Sequence, residues 1–278
     1  MNKTYKRVGE YIIETSSKLG SGQYGTVYRG SLDSYVGSDN VIYAIKETPI
    51  PFCNGGIEKT KLDAAIREIN NLRQLNHPYI VKFIDAKQTD KNIYLIMEYC
   101  KDGDLEGLIK KNLPNEKECL YYFSQLVKGD SEQATITGTP LFSSPQILRG
   151  QQYTSKSEIW SLGVTLYFML FYDPQNPNNS YPWYATTQVN LTQNILNNPD
   201  LRFHSQKNLS SALKDLLRRM LTLDEQKRMN WDELFSHELV QIDQKLPKSL
   251  KITDQLDIKS IQAQESWINE DMTQIMGN

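Results

Sequence analysis

The chain has 278 residues, 39% hydrophobic, 10% aromatic and 23% charged, with a formal net charge of −2. That is enough apolar material for one large domain or two small lobes. The near-neutral balance, with basic residues scattered, argues against nucleic acid or an anionic membrane as a partner.

Cys53, Cys100 and Cys119 are odd in number and lack metal-ligand spacing, which fits a reducing, cytoplasmic setting and no bound metal. The opening, MNKTYKRVGEYIIETS, has no apolar core of the kind a signal peptide needs. The longest apolar run, Ile159 to Tyr172, is too short for a membrane span and reads as a buried helix.

Up to about Tyr99 the pattern favours strands with one helix. YIIETSSKLG and GTVYRGSL are β-branched and aromatic around a glycine-rich turn. NVIYAIKETPI reads as a third strand stopped by Pro51. GIEKTKLDAAIREINNLRQL carries Leu62, Ala65, Ile66, Ile69, Leu72 and Leu75 at helical spacing. YIVKFIDAKQTDKNIYLIMEYC reads as two strands around a polar turn.

From Asp104 the chain is mainly helical. DLEGLIKKN and EKECLYYFSQLVKG predict helices, the second closed by Gly129 as its C-cap. A loop, the apolar helix at 159–172 and the polar loop YDPQNPNNSYPW follow. SSALKDLLRRML and NWDELFSHELV predict amphipathic helices, and residues 241–278 form a polar tail. Strands first and helices second predict an α+β, two-lobed architecture.

Several residues bear on chemistry. Gly20, Gly22 and Gly25 have G-x-G-x-x-G spacing, which lets backbone approach phosphates closely. A glycine-rich hairpin is the ordinary alternative. The strand-like TVYRG after them favours a hairpin flap over a dinucleotide fold, which needs a helix there. Lys46, in YAIK, lies on a strand just after the flap, where a compact cation can meet phosphates. Glu68 sits mid-helix, where it can pair with that lysine. An exposed lysine and a solvated glutamate are the alternatives; the ordered set is more specific than any member.

The motifs GSGQYGTV, YAIK, REINNLRQLNHPYIV, YLIMEYCKDGDL, GTPLFSSPQIL, EIWSLGV and LLRRMLTLDEQKRMNWDELFSH resemble eukaryotic protein kinases, in family order from about residue 10 to 240. GTPLF ahead of SPQ resembles the serine/threonine branch. MEYCKDGDL is similar to autophagy-initiating kinases, with calcium/calmodulin-type kinases close behind. The resemblance implies a β-rich N-lobe at about 10–99 and a helical C-lobe at about 100–240. It implies ATP and Mg²⁺ as cofactors and proteins as substrates or partners. By this likeness Leu19, Gly20, Gly22, Gly25, Val27 and Ala44 would enclose the nucleotide. Lys46 would hold the α/β phosphates, and Glu68 would anchor it. Met97 would be the gatekeeper, Glu98 and Cys100 the hinge, Asp104 a ribose contact, and Leu72 and Phe83 the upper hydrophobic spine.

One block is missing. The family's H-R-D-x-x-x-x-N loop and D-F-G supply the Asp that orients the substrate hydroxyl and the groups that hold Mg²⁺. Both belong between LYYFSQLVKG and GTPLF, where the sequence has only DSEQATIT. None of His77, His204 and His237 precedes Arg-Asp, and Asp130 lacks a Phe-Gly context. The C-lobe is therefore expected to be incomplete, with an internal deletion near 129–131. Losing several core elements is expected to use all of the roughly 5–15 kcal/mol that stabilise a typical domain, so that the chain does not fold as a tight two-lobed kinase. Smaller departures are Gln146, where the family has the Glu that pairs with the arginine matched by Arg228, and Glu158 for Asp. Gln146 is expected to leave Arg228 poorly compensated. Ser131, Thr135 and Thr137 lie where kinases accept activating phosphates.

Three readings follow. The chain is a kinase whose longer form transfers phosphate; or a pseudokinase or scaffold that binds nucleotide or a partner; or a poorly folded fragment.

Overall fold

A computed structural model describes residues 3–22, 25–33, 41–50, 52–53, 56–57, 59–130, 139–203 and 208–241. The tail from residue 242, Pro51, and the phosphate-acceptor candidates Ser131, Thr135 and Thr137 lie outside them. The chain divides between Lys101 and Asp102 into two compact units.

The first unit is built on one antiparallel sheet. β1 (Tyr5–Val8), β2 (Tyr11–Gly22), β3 (Gly25–Leu32) and β4 (Tyr43–Pro49) follow in chain order, with β7 (Phe83–Gln88) and β8 (Asn92–Glu98) completing the spatial order β1-β2-β3-β4-β8-β7. Between β4 and β7 lie a small hairpin, β5 (Phe52–Cys53) with β6 (Gly56–Ile57), and the helix α1 (Lys59–Gln74). The helix thus begins after Ile57, later than its periodicity predicts, because the preceding residues pair as strands.

Alternation along the strands gives the sheet two faces. On one, Tyr11, Ile13, Tyr43, Ile45, Tyr94 and Ile96 form a buried cluster that Tyr28 joins. Leu95 belongs to a different cluster, with Ile50, Ile69, Ala86 and Ile93, against which Leu62, Ala65 and Leu72 of α1 pack. Those three helix positions are among the ones whose spacing predicts a buried stripe.

The second unit is helical: α2 (Leu105–Asn112), α3 (Glu116–Asp130), α4 (Pro145–Leu148), α5 (Lys156–Phe171), α6 (Gln188–Asn197), α7 (Ser211–Met220), α8 (Trp231–Phe235) and α9 (Glu238–Gln241). α5 is apolar on all sides and central, packing with Phe123 and Val127 of α3 and Leu213, Leu216 and Leu217 of α7. Gly129 does not cap α3: it is buried and the helix continues to Asp130. The single helix expected over NWDELFSHELV is two. Ser236 Oγ donates to the Asp232 carbonyl, and His237 Nδ1 accepts from the Leu239 amide, ending one helix and starting the next. No described buried side-chain nitrogen or oxygen lacks a hydrogen-bond partner.

Candidate functional site

The site candidates of the first unit meet through strand register. Val27 pairs with Lys46 and Arg29 with Ala44; Ala44 pairs with Met97 and Lys46 with Leu95. Directly paired residues share a face, so Val27, Ala44, Lys46 and Met97 lie together, opposite the Tyr43–Ile45 cluster. Phe83 pairs with Met97 and, like Leu72 and Met97, packs on the α1 side of the core.

The glycine turn joins β2 to β3, with Gly20 opposite Val27 and Gly22 opposite Gly25. At Gly25 only glycine serves: φ is +145°, and a Cβ would collide with the Glu47 carbonyl oxygen. At Gly20 and Gly22 a Cβ would meet nothing within 4 Å, so the flap borders open space. Leu19, just before it, is exposed.

α1 brings Glu68 to this face. Lys46 Nζ donates to Glu68 Oε1 at 2.6 Å and Oε2 at 2.8 Å. The carboxylate is the more exposed partner, 41% against 19% for the lysine. Glu98 has a role its position in the sequence did not announce. Its Oε1 accepts the Lys82 amide at 2.8 Å, while its own amide donates to the Lys82 carbonyl. Cys100 follows β8 and is exposed.

Asp104 belongs to the second unit. Its Oδ1 accepts the Gly107 amide at 2.7 Å, making it the N-cap of α2. The ribose-contact candidate therefore has structural work of its own.

The expectation that Arg228 is poorly compensated is corrected. The residue is 1% exposed. Its Nε donates to the Thr222 carbonyl, Nη1 to the Lys156 carbonyl, and Nη2 to Gln146 Oε1 at 3.0 Å and, more weakly, to the Leu223 carbonyl. Gln146 Nε2 donates to that same Leu223 carbonyl at 2.9 Å, a bond no carboxylate could make. The guanidinium stands 5.0 Å over the Trp160 ring. Burial still lowers its pKa to about 10, with Glu225 and Asp224 opposing that shift.

A metal centre is not assembled: among the described residues no three His, Cys, Asp or Glu side chains come close enough to hold an ion. The sheet face of the first unit, by contrast, brings together the paired Lys46, the glycine turn and the apolar Val27, Ala44 and Met97.

A protein kinase domain model matches residues 13–131 and 123–240. The chain belongs to the protein kinase family. Its fold is therefore the kinase α+β fold, with a sheet-based N-lobe and a truncated helical C-lobe. The serine/threonine-protein kinase atg1 of Dictyostelium discoideum is 30% identical over 84% of this chain and 39% of its own length. A putative serine/threonine-protein kinase of Acanthamoeba polyphaga mimivirus is 30% identical over 80% of this chain and 62% of its own. The mouse serine/threonine-protein kinase ULK3 is 26% identical over 85% and 56%. The chain thus spans less than two thirds of each of these relatives.

Proposed function

We propose that this chain is a catalytically deficient serine/threonine kinase that keeps the nucleotide-facing half of the family's site. The observation that carries this is the junction. α3 remains helical to Asp130, and Pro140–Phe142 already forms the 3-10 turn of the GTPLF segment. Between Gly129 and Gly138 the sequence has DSEQATIT, with no Asp in an H-R-D or D-F-G context. Phosphoryl transfer needs a group to orient the substrate hydroxyl and groups to hold Mg²⁺. The residues present do not fit that metal, and no catalytic step is assigned through it.

Lys46 and Glu68 would take the phosphate end of ATP, with Leu19, Gly20, Gly22, Gly25, Val27 and Ala44 around the nucleotide. Backbone groups of Glu98 and Cys100 would meet the base. In this reading the domain covers residues 10–240, with the N-lobe ending at about residue 99 and the C-lobe beginning at about 100, and the tail from 241 is peripheral. Proteins are the partners, in a cytoplasmic setting. Supporting that setting, Cys119 is a buried, reduced thiol that donates to the Met169 carbonyl. A phosphotransfer assay with radiolabelled ATP and a generic protein substrate is expected to give background. Turnover that depends on Lys46 would overturn the proposal.

The way the family match breaks favours a second reading, in which a longer form of the protein is an active kinase. The two matched stretches overlap at residues 123–131. The alignment with the Dictyostelium protein covers 281 positions but only 84% of this chain, about 234 residues, so about 47 of its positions have no counterpart here. A coding block near 129–131 would restore the catalytic loop and the metal ligands. Sequencing transcripts across codons 128–131 tests this; a single junction reading Lys128-Gly129-Asp130 in every transcript would exclude it.

A further inference from the structure

The segment after α6 and the turn after α7 line a cavity of about 460 Å³ in the second unit. Ligand cavities run from about 300 to 1,000 Å³, so this one suits a small molecule. Its wall is apolar. Leu201, Leu221 and Leu223 line it, and all three pack in the core that holds Trp160 and Trp183. Just before Leu201, the Asn198 carbonyl accepts from the Trp183 indole N–H at 2.8 Å. The Leu223 carbonyl accepts from Gln146 Nε2 at 2.9 Å. Both sides of the cavity are thus tied to the core.

Three charges also line it, Asp200, Arg218 and Asp224. Asp224 is committed: Oδ1 accepts the Gln226 amide at 3.0 Å, and Oδ2 lies 3.6 Å from Lys227 Nζ. Arg218 sits in the last turn of α7, where the helix dipole favours a cation. Its guanidinium stands 5.0 Å over the Phe203 ring. Stacking fixes the plane and leaves the N–H edge for a planar anion. The adjacent arginine shows the contrast, since Arg219 is bonded to Glu233 at 2.9 Å. Among the described residues neither Arg218 nor Asp200 has an ion-pair partner, and they do not pair with each other.

One unmatched base and one unmatched acid beside three leucines complement a zwitterion with an apolar side chain. An α-amino acid carries its carboxylate, ammonium and side chain on a single carbon. A phosphate or dicarboxylate would meet Asp200 as a like charge, and a polyamine would meet Arg218 as one.

We propose that this cavity binds a free α-amino acid with an aliphatic or aromatic side chain. Arg218 donates to its carboxylate, Asp200 accepts from its ammonium, and its side chain packs on Leu201, Leu221 and Leu223. The proposal does not depend on the nucleotide reading of the first unit.

The test is calorimetric titration of the full chain. Leucine and phenylalanine are expected to bind. N-acetyl-leucine lacks the ammonium and leucine amide lacks the carboxylate, and each is expected to bind at least about tenfold more weakly, the effect of one lost charged hydrogen bond. Asp200→Asn is expected to weaken leucine about tenfold and leave N-acetyl-leucine unchanged; Arg218→Gln is expected to weaken leucine equally and leave leucine amide unchanged. Binding is also expected to shift tryptophan emission, because Trp160 and Trp183 pack with the leucine wall. Circular dichroism checks that each variant is folded; if one is not, the ligand series on the wild-type chain decides. No binding of leucine or phenylalanine overturns the proposal. Equal binding of leucine and its two blocked derivatives overturns it, since neither charge is then read. Leucine binding that folded variants leave unchanged also overturns it, because the ligand then sits elsewhere.

Discussion

Two polar pairs show how differently the two units use charge. Lys46 and Glu68 keep both charges, are partly exposed, and sit beside open space at the flap. Arg228 is sealed in the helical unit, and its side-chain partner, Gln146, is neutral. A buried cation is stabilised by well-placed dipoles as much as by a counter-charge: three backbone carbonyls and an amide oxygen surround Arg228. The departure from the family pattern at residue 146 is therefore a change of partner chemistry within an intact hydrogen-bond network.

That contrast breaks if the buried site proves indifferent. Arg228→Ala removes four hydrogen bonds and takes the guanidinium donor from the Thr222 carbonyl and from Gln146 Oε1, so a loss of about 3 kcal/mol or more is expected in urea unfolding. A loss below about 1 kcal/mol would mean that water fills the site.

A second buried polar group sharpens the rule through pH. Tyr167 is 1% exposed, its hydroxyl donates to the Arg202 carbonyl at 2.9 Å, and burial raises its pKa to about 12. The unfolded phenol loses its proton near pH 10, the folded one near 12. This contribution is therefore complete below pH 10 and is lost as pH rises to 12. Tyr167→Phe is expected to cost about 1 kcal/mol at neutral pH and to flatten the alkaline decline of stability over that window.

Backbone strain offers a smaller effect of opposite sign. Leu113, the C-cap of α2, has φ +47° and is 55% exposed. Leu113→Gly removes the Cβ clash of the left-handed conformation and is expected to gain up to about 1 kcal/mol, read as a higher thermal midpoint. The smallest effect belongs to the exposed pair. Lys46→Ala is expected to change stability by less than about 1 kcal/mol, since Glu68 can turn to water, while it weakens binding of any phosphate-bearing ligand. A large loss of stability would make the pair structural and undo the contrast with Arg228.

Much of the first unit was legible because alternation and glycine spacing are local signals. β2, β3, β4 and β8 fall where their patterns place them, and Lys46 and Glu68 stand out by order along the chain. What was not legible depended on long-range partners. β1 is only four residues and stands through pairing with β2. α6 buries only Leu191 and Ile195, too few anchors to betray a helix in a run of Asn, Gln and Thr. Gly129 looked like a helix end because glycine often is one; burial keeps it inside the helix.

By itself the sequence determined the family, the order of the elements, the lysine–glutamate couple and the missing catalytic block, since each is a matter of residue type and spacing. Only the tertiary structure decided that Gln146 serves Arg228 through both ends of its amide, that Asp104 is occupied as a helix cap, and that the Lys46 charge is matched by Glu68 alone among the described residues. Those outcomes depend on distances between groups tens of residues apart, set by how the helices and strands pack.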